Sequence, residues 1–304
     1  MVSHTWVSSF AKIRTMNWRA KAIAFRFLSL VPGGSRIHFG AQRYLTGTLP
    51  RPYEHVCELL ECARATITNF TAHSAVAIEQ STFYEVGAGR DLCVPLALRM
   101  LGVRQVLTSD IERLAKLAMV NHAAKCLCAD FGRATMSFSS WQEVQDFGVE
   151  YIAPDRSLGN PCSVDAWISN EVLEHVPAES LPALLSDGFK ILKPGGLAIH
   201  AIDYSDHFAR GTDVSRYNFL QYSSARWRPF NSRIQFVNRL RHSEYLNLFR
   251  AAGFELVEIN KHSGDIPPEV VANLAPEFRR FLLSDLGVLR SRIIARRPFV
   301  KQAT

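Results

Sequence analysis

The sequence predicts an α/β protein in which a parallel sheet is covered by helices on both faces. From residue 82 onward, short apolar runs rich in β-branched residues alternate with amphipathic runs that have helical spacing. The links between these runs are short, which favours parallel strands joined by crossover helices. Two glycines follow the first predicted strand and a lone aspartate ends the second, at the sheet edge where ligands bind in such folds.

The first half of the pattern contains two strand and helix pairs. YEVGA (84–88) is the first predicted strand, and DLCVPLALRML (91–101) is a helix for which Asp91 is a natural N-cap. QVLTSD (105–110) is the second strand, and IERLAKLAMVNHAAK (111–125) is the second helix.

The third strand has two candidates, ATMSFSS (134–140) and VEYIAP (149–154). We favour VEYIAP, because Asp155 then lies at its carboxyl end, shortly before the fourth strand DAWIS (165–169). The remaining predicted elements are a helix at 180–192, a KPGG turn at 193–196, the strand LAIHAID (197–203), a helix at 242–254 with a glycine stop, and the strands ELVEI (255–259) and LRSRIIARR (289–297).

Two segments fall outside this alternation. Residues 1–67 are predicted to form a helical N-terminal extension to an α/β domain at 68–304. Within that domain, residues 204–241 are predicted to form an aromatic-rich substrate lid, inserted after strand five. Within the extension, residues 11–31 have one basic and one apolar face, a pattern compatible with an anionic membrane. We favour the other interpretation, in which this helix folds over its own domain.

The composition favours a soluble cytoplasmic protein. The chain of 304 residues has a net charge of +7, but its basic residues are scattered and no zinc-finger or RNP-like pattern accompanies them, which disfavours nucleic acid as a partner. The six cysteines form no CxxC motif, so we expect reduced thiols and no metal site. No apolar stretch approaches the roughly 18 residues of a membrane span.

Gly87 and Gly89 follow the first strand, where residues without a Cβ let the backbone bend sharply and approach a ligand. A dinucleotide site would have a third glycine three residues after Gly89, but Leu92 stands there. Glu85 and Asp91 place carboxylates around the turn, which disfavours a pyrophosphate and favours the ammonium and sulfonium groups of S-adenosylmethionine.

Two further aspartates fit the same cofactor. Asp110 follows Gly87 by about the twenty-residue interval expected of an acid that binds ribose hydroxyls. Asp155, at the next strand end, is expected within reach of an adenine amino group. The ordered set of Glu85, the GAG turn, Asp110 and Asp155 therefore predicts an adenosyl cofactor.

With these motifs in view, the chain resembles the class I S-adenosylmethionine-dependent methyltransferases of the type 11 methyltransferase-domain family. The resemblance spans roughly residues 82–297 and rests on EVGAGRD (85–91), TSDI (108–111), DAWISNEVLEHVP (165–177), LKPGGLAIH (192–200) and FRAAGFELVEI (249–259). It implies a Rossmann-like sheet of seven strands whose last strand, LRSRIIARR, is antiparallel. The chain departs from the family at Asp91, where a third glycine is often found.

The resemblance also implies roles for individual residues. The first turn would line the methionine moiety, Asp110 with Ile111 would hold the ribose, and Asp155 with Arg156 would flank the adenine. Asn170 and Glu171 would face the methionine end or the substrate entrance. The full cofactor-binding set is Glu85, Gly87, Ala88, Gly89, Asp110, Ile111, Asp155, Arg156, Asn170 and Glu171.

The catalytic base has two candidates that the sequence leaves open. His175 stands just after strand four, and His207, with Asp203 as an orienting carboxylate, stands just after strand five. The aromatic and arginine-rich insertion supplies the expected substrate contacts, although its aromatic residues also fit a local core with the arginines in solvent. The substrate set is Tyr204, Asp206, Tyr222, Trp227, Asn238 and Arg239.

The predicted function is methyl transfer from S-adenosylmethionine to a small-molecule or glycan-type acceptor, with oxygen favoured over nitrogen as the target atom. Two alternatives remain: an enzyme of the same fold that binds the cofactor but catalyses a non-methylating reaction, and a non-catalytic partner-binding module. A nucleic-acid methyltransferase ranks last, because the sequence has no NPPY-type motif and no appended binding domain.

Overall fold

A seven-stranded sheet forms the centre of the protein. The computed structural model describes residues 17–33, 48–154 and 159–299, together with residues 37, 39, 40 and 43. The strands are β1 (Thr82–Val86), β2 (Gln105–Ser109), β3 (Val149–Ile152), β4 (Val164–Asn170), β5 (Leu192–Asp203), β6 (Glu255–Ser263) and β7 (Val288–Arg296). Their order is β3-β2-β1-β4-β5-β7-β6, and only β7 is antiparallel to its neighbours. This confirms the predicted Rossmann-like sheet and its antiparallel last strand.

Ten α-helices accompany the sheet within the described residues. They are α1 (Trp18–Leu30), α2 (Tyr53–His73), α3 (Cys93–Met100), α4 (Leu117–Asp130), α5 (Trp141–Asp146), α6 (Leu181–Ile191), α7 (Ser224–Trp227), α8 (His242–Ala251), α9 (Pro268–Ala272) and α10 (Leu283–Leu286). Short 3₁₀ turns cover Ile78–Gln80, Leu173–His175, His207–Ala209, Asn218–Gln221 and Pro276–Phe278.

Side chains alternate between the two faces of the sheet, as the period of two along a strand requires. Phe83 and Ile168 face a core formed with α2, α3 and α4. Tyr84 and Trp167 face a second core formed with α6 and α8. Because both faces are covered, the central strands are apolar throughout, and polar side chains collect at the strand ends.

Several element bounds differ from the predicted ones for local reasons. The third strand is confirmed at Val149–Ile152. Helix α4 begins at Leu117 rather than at 111, because the residues after Asp110 form a loop whose N–H groups bond back to the Asp110 carboxylate. The KPGG segment (193–196) lies inside β5, where a bulge in the pairing with β4 accommodates it.

The N-terminal segments pack onto this sheet. Helix α2 is continuous through residue 67, the predicted end of the extension, and buries Val56, Leu60 and Phe70 in the first core. Helix α1 buries Trp18 and Ala22 against the insertion. No helix among the described residues has the length and apolar character needed to cross a membrane.

Gly188 on α6 packs directly against the indole ring of Trp167, and a Cβ on this glycine would lie 2.4 Å from the ring. Because both residues are buried, we expect Gly188→Ala to lower the free energy of unfolding by about 1–3 kcal/mol, the usual effect of overpacking a core. Chemical denaturation measures this difference. Ser186→Ala, on another side of the same helix, is the control. Equal stability of the glycine variant and the wild type would contradict the expectation.

Candidate functional site

The turn after β1 requires glycine at two positions. Gly87 and Gly89 have φ angles of +89° and +68°, in the left-handed region that favours glycine. A Cβ on Gly87 would lie 2.4 Å from Cγ2 of Val172, in the loop after β4. Among the described residues, a Cβ on Gly89 would meet nothing closer than the Arg51 guanidinium at 3.9 Å, so these residues leave space beside Gly89. The backbone N–H groups of Gly87 and Ala88 both donate to Ser109 at the end of β2.

The helix after this turn begins one residue later than a cap at Asp91 predicts, and the Asp91 carboxylate accepts a 3.3 Å hydrogen bond from the N–H of Cys93. Leu92 is the residue that precedes α3, with a φ of +49° and no side-chain cap, and the first helical residue is Cys93. Asp91 is buried and accepts a 2.6 Å hydrogen bond from Nε of Arg51. Its negative charge is therefore paired, which removes Asp91 from the carboxylates that attract a cation to the turn.

Glu85 is buried at the end of β1, directly opposite Thr108 in the register of β1 and β2. The hydroxyl of Thr108 donates a 2.6 Å hydrogen bond to Oε2 of Glu85. Burial raises the pKa of Glu85 to about 8, although this hydrogen bond opposes the shift. Glu85 is therefore mostly protonated at neutral pH, and a cation placed beside it favours the ionised form.

Asp110 stands at the carboxyl end of β2, beside the glycine turn. Its carboxylate accepts hydrogen bonds from the backbone N–H groups of Gly89, Ile111 and Glu112, while burial raises its pKa. The side chain of Ile111 is exposed next to it. Asp155 and Arg156, the predicted adenine contacts, lie outside the described residues.

Asn170 and Glu171 close the strand end of β4. Glu171 has a φ of +53°, and its N–H donates to Ala201 on β5. Its carboxylate pairs with Arg210 at 3.3 Å and with Arg290 at 3.1 Å. The carboxylate of Glu171 therefore forms ion pairs with two arginines, neither of which is indicated by the sequence pattern.

The two candidate bases, predicted from separate motifs, lie side by side. The rings of His175 and His207 are 5.0 Å apart between centroids, because β4 and β5 are parallel neighbours that end at the same edge. One ring nitrogen of each histidine and one carboxylate oxygen of Glu174 lie within 4.8 Å of one another. This donor set has the composition of a divalent-cation site, although Arg210 already places a positive charge 2.6 Å from the adjacent Asp203.

The electrostatics of this cluster are set by burial. His207 is buried, and its Nε2 lies 3.6 Å from Oδ2 of Asp203. Burial opposes ionisation of Asp203, but His207, the N–H of Ser205 and Arg210 outweigh it, so the pKa of Asp203 lies below its usual range. Burial also lowers the pKa of His175, whose Nδ1 donates a 2.6 Å hydrogen bond to the carbonyl of Phe236.

Most of the predicted substrate residues have structural partners instead. Tyr204 is buried, and its hydroxyl bonds to Ser291 at 2.8 Å. The buried carboxylate of Asp206 accepts hydrogen bonds from Phe208 N–H and the Asn218 amide, and burial raises its pKa to about 6. These contacts turn both side chains away from a substrate.

Trp227 and Tyr222 belong to an aromatic cluster, which also contains Trp18, Phe208, Phe219 and Phe230. Trp18 stacks on Trp227 with 5.9 Å between the ring centroids, and Arg19 donates to the Tyr222 hydroxyl. Helix α1 therefore folds over its own chain, and the aromatic residues form a local core rather than an open acceptor surface.

Asn238 and Arg239 fasten the insertion to the loops around it. The Asn238 amide donates to the carbonyls of Leu173 and Val176, which flank the His175 turn. Arg239 donates to the carbonyls of Phe219 and Tyr222 and pairs with Glu277. These are positioning contacts, and Asn238 acts directly on the loop that carries His175.

A cavity of about 300 Å³ lies next to the ends of β4 and β5. Its walls come from α2 and from four strands, and they are formed by Cys62, Asn170, Glu171, Ala201, Ile202, Asn260, Lys261, His262, Arg290, Ser291 and Arg292. Apart from Asn170 and Glu171, the sequence analysis predicts none of these residues, because their proximity depends on the register of β5, β7 and β6.

The raised pKa of Glu85 makes stability depend on pH. Between its ordinary value of 4.5 and about 8, the folded protein keeps a proton that the unfolded chain releases, so Glu85 lowers stability as the pH rises through this range. We expect the stability advantage of Glu85→Gln over the wild type to grow from pH 5 to pH 8, as measured by denaturant titration without ligand. A constant difference across this range would contradict the shifted pKa.

The chain is similar in sequence to a known protein family and in fold to solved structures. Residues 66–259 match the model of a methyltransferase-domain family, in agreement with the class I methyltransferase resemblance of the motifs. No curated protein matches the sequence. A methyltransferase from Mesorhizobium loti, described as S-adenosylmethionine dependent, is 15% identical over 76% of this chain and 96% of that chain, with a TM-score of 0.44. Geranyl diphosphate C-methyltransferase from Streptomyces coelicolor is 19% identical over 77% and 79%, with a TM-score of 0.46.

At this level of identity, neither structure bears on the acceptor of this chain. The family match covers more than half of the sequence and contains the glycine turn, Asp110 and the histidine that follows β4. The protein therefore belongs to the methyltransferase-domain family, as an enzyme with S-adenosylmethionine as its cofactor.

Proposed function

We propose that the protein transfers a methyl group from S-adenosylmethionine to a hydroxyl group of a small-molecule or glycan-type acceptor. The observation that carries this proposal is the buried histidine His207, which lies 3.6 Å from the carboxylate of Asp203 beside the ends of β4 and β5. A base in this position suits an oxygen acceptor, because a hydroxyl must lose its proton as it attacks.

The strand ends fit the cofactor. Gly89 leaves open space where the methionine moiety is expected, and the backbone-held carboxylate of Asp110 lies next to that space. Glu85 supplies a group that ionises in response to a nearby cation. We therefore assign the glycine turn and Glu85 to the methionine end, Asp110 with Ile111 to the ribose, and Asn170 with Glu171 to the methyl end.

When bound, the cofactor supplies a methyl group that its sulfonium activates for direct displacement. His207 would take the proton of the acceptor hydroxyl as its oxygen accepts the methyl group, and the demethylated cofactor would be the leaving group. Asp203 stabilises the imidazolium that results. His175, whose ring packs edge-on against His207, is the second candidate for the base.

The cavity beside Asn170 supports a small acceptor. A volume of about 300 Å³ is at the lower end of the range for small-molecule sites. The basic residues of the chain form no dense run, and the aromatic cluster of the insertion is closed upon itself, which disfavours stacked nucleic-acid bases. The free cysteines agree with a cytoplasmic location.

Asp110 provides the direct test of the cofactor site. We expect Asp110→Ala to weaken binding of S-adenosylhomocysteine by about 10- to 100-fold, since hydrogen bonds to a charged group contribute about 1.5–3 kcal/mol. Isothermal calorimetry measures the affinity, and Asp187→Ala, at an exposed acid on α6, is the control. Unchanged affinity would remove Asp110 from the site.

Steady-state kinetics distinguish the roles of the two histidines. The assay uses any acceptor for which mass spectrometry detects S-adenosylhomocysteine as a product. We expect His207→Gln to reduce kcat by about 10²–10⁴-fold, the usual contribution of a general base, with the affinity for S-adenosylhomocysteine within threefold of the wild type. If only His175→Gln has these effects, His175 is the base; turnover without a demethylated cofactor would reject methyl transfer altogether.

A further inference from the structure

Arg292 on β7 is half-buried, and its guanidinium makes no hydrogen bond or ion pair with any residue in the described part of the chain. Desolvation lowers the pKa of its guanidinium, which shows that its surroundings disfavour the bare charge. Buried charges in proteins are normally paired. Arg239 and Arg241 follow this rule here, since each donates to backbone carbonyls. Arg292 instead lines the 300 Å³ cavity.

The register of the sheet explains why the cavity exists beside this residue. Asn170, Ala201, Arg292 and Asn260 are direct neighbours across β4, β5, β7 and β6. Ala201 has the shortest of these side chains, so space is left above it between the side chains of Asn170 and Arg292. The next row toward the strand ends brings Arg290 opposite Asp203 and His262. The cavity therefore begins at the predicted methyl end of the cofactor and extends toward Arg292.

The charges that line the cavity do not balance. Arg290, Arg292 and Lys261 contribute three positive charges, whereas Glu171 is the one carboxylate in the lining. Glu171 is already paired with Arg210 and Arg290. Lys261 makes no hydrogen bond or ion pair with the described residues and is exposed at the mouth. An anion in the cavity would pair with Arg292 and Lys261 without displacing an existing ion pair.

We propose that this cavity binds a carboxylate or phosphate group of the methyl acceptor, held by the guanidinium of Arg292 with Lys261 at the mouth. The planar guanidinium can donate two parallel hydrogen bonds to either group. Asn170 lies between this anion and the methyl end, so the acceptor hydroxyl would lie on the Asn170 side. This inference rests on the proposed function, because the anion site identifies the acceptor of the proposed methyl transfer. That acceptor would be a hydroxylated organic acid or a phosphate ester.

The test measures anion binding to the full chain by isothermal calorimetry at constant ionic strength, with and without saturating S-adenosylhomocysteine. Malonate represents a carboxylate, inorganic pyrophosphate a phosphate, and malonamide an uncharged control of the size of malonate. We expect at least one anion to bind at least tenfold more tightly than malonamide. Tighter malonate binding identifies a carboxylate acceptor, and tighter pyrophosphate binding identifies a phosphate acceptor.

Arg292→Met should weaken binding of the preferred anion at least tenfold. The affinity of this variant for S-adenosylhomocysteine should stay within twofold of the wild-type value, which would verify that the variant is folded. Arg250→Met removes the same charge from an exposed position on α8 and should leave anion binding within twofold. If Arg292→Met does not fold, Lys261→Met at the exposed mouth should weaken binding severalfold.

Two results would overturn the inference: neither anion binding more tightly than malonamide, or binding that is unchanged in the Arg292 and Lys261 variants. Failure of S-adenosylhomocysteine to bind would instead reject the proposed function. The titrations without that ligand would still report on the anion site alone.

Discussion

The contact between Gly87 and Val172 ties together the two strand ends between which the site is built. Strands β1 and β4 are neighbours, and it is between them that the chain order across the sheet reverses. The loops after these two strands lead toward opposite faces of the sheet. They nevertheless lie against each other at Gly87 and Val172, where a Cβ on Gly87 would have no room. The absence of that one atom allows the loop after β4, with Glu171, Glu174 and His175, to lie against the turn that carries the cofactor.

The electrostatic character of this turn is more neutral than its sequence indicates. Asp91 is paired with Arg51, and the shifted pKa of Glu85 keeps a proton on that carboxyl at neutral pH. A positive charge placed beside Glu85 would favour loss of its proton, so the proposed cofactor site would gain this negative charge only with the cation in place. Asp91, at which the chain departs from the family's third glycine, therefore has a structural partner in Arg51.

The sequence predicts the fold well because alternating periodicity is a local signal. The third strand follows from a run of a few residues, whereas the antiparallel direction of the last strand comes from the family resemblance. The two candidate bases are also correctly placed at one edge, because parallel neighbours end together. The predicted acceptor contacts stay predictions, and the sequence did not indicate that Trp227 packs on Trp18 or that Tyr204 bonds to Ser291, because both partners are distant in the chain. Arg292 has no local signal, because its surroundings depend on the register of three strands.

The buried arginine at the end of the insertion constrains how an acceptor reaches the active site. Arg241 is fully inaccessible to solvent and donates to the carbonyls of Tyr204, Leu286 and Val288. An outward movement of residues 204–241 would break these hydrogen bonds. It would leave the guanidinium of Arg241 and the three carbonyls without partners in an apolar interior. The insertion is accordingly a fixed wall rather than a hinged flap. An acceptor therefore has to reach the active site without an outward movement of residues 204–241, and replacing this segment would also have to replace the buried contacts of Arg241.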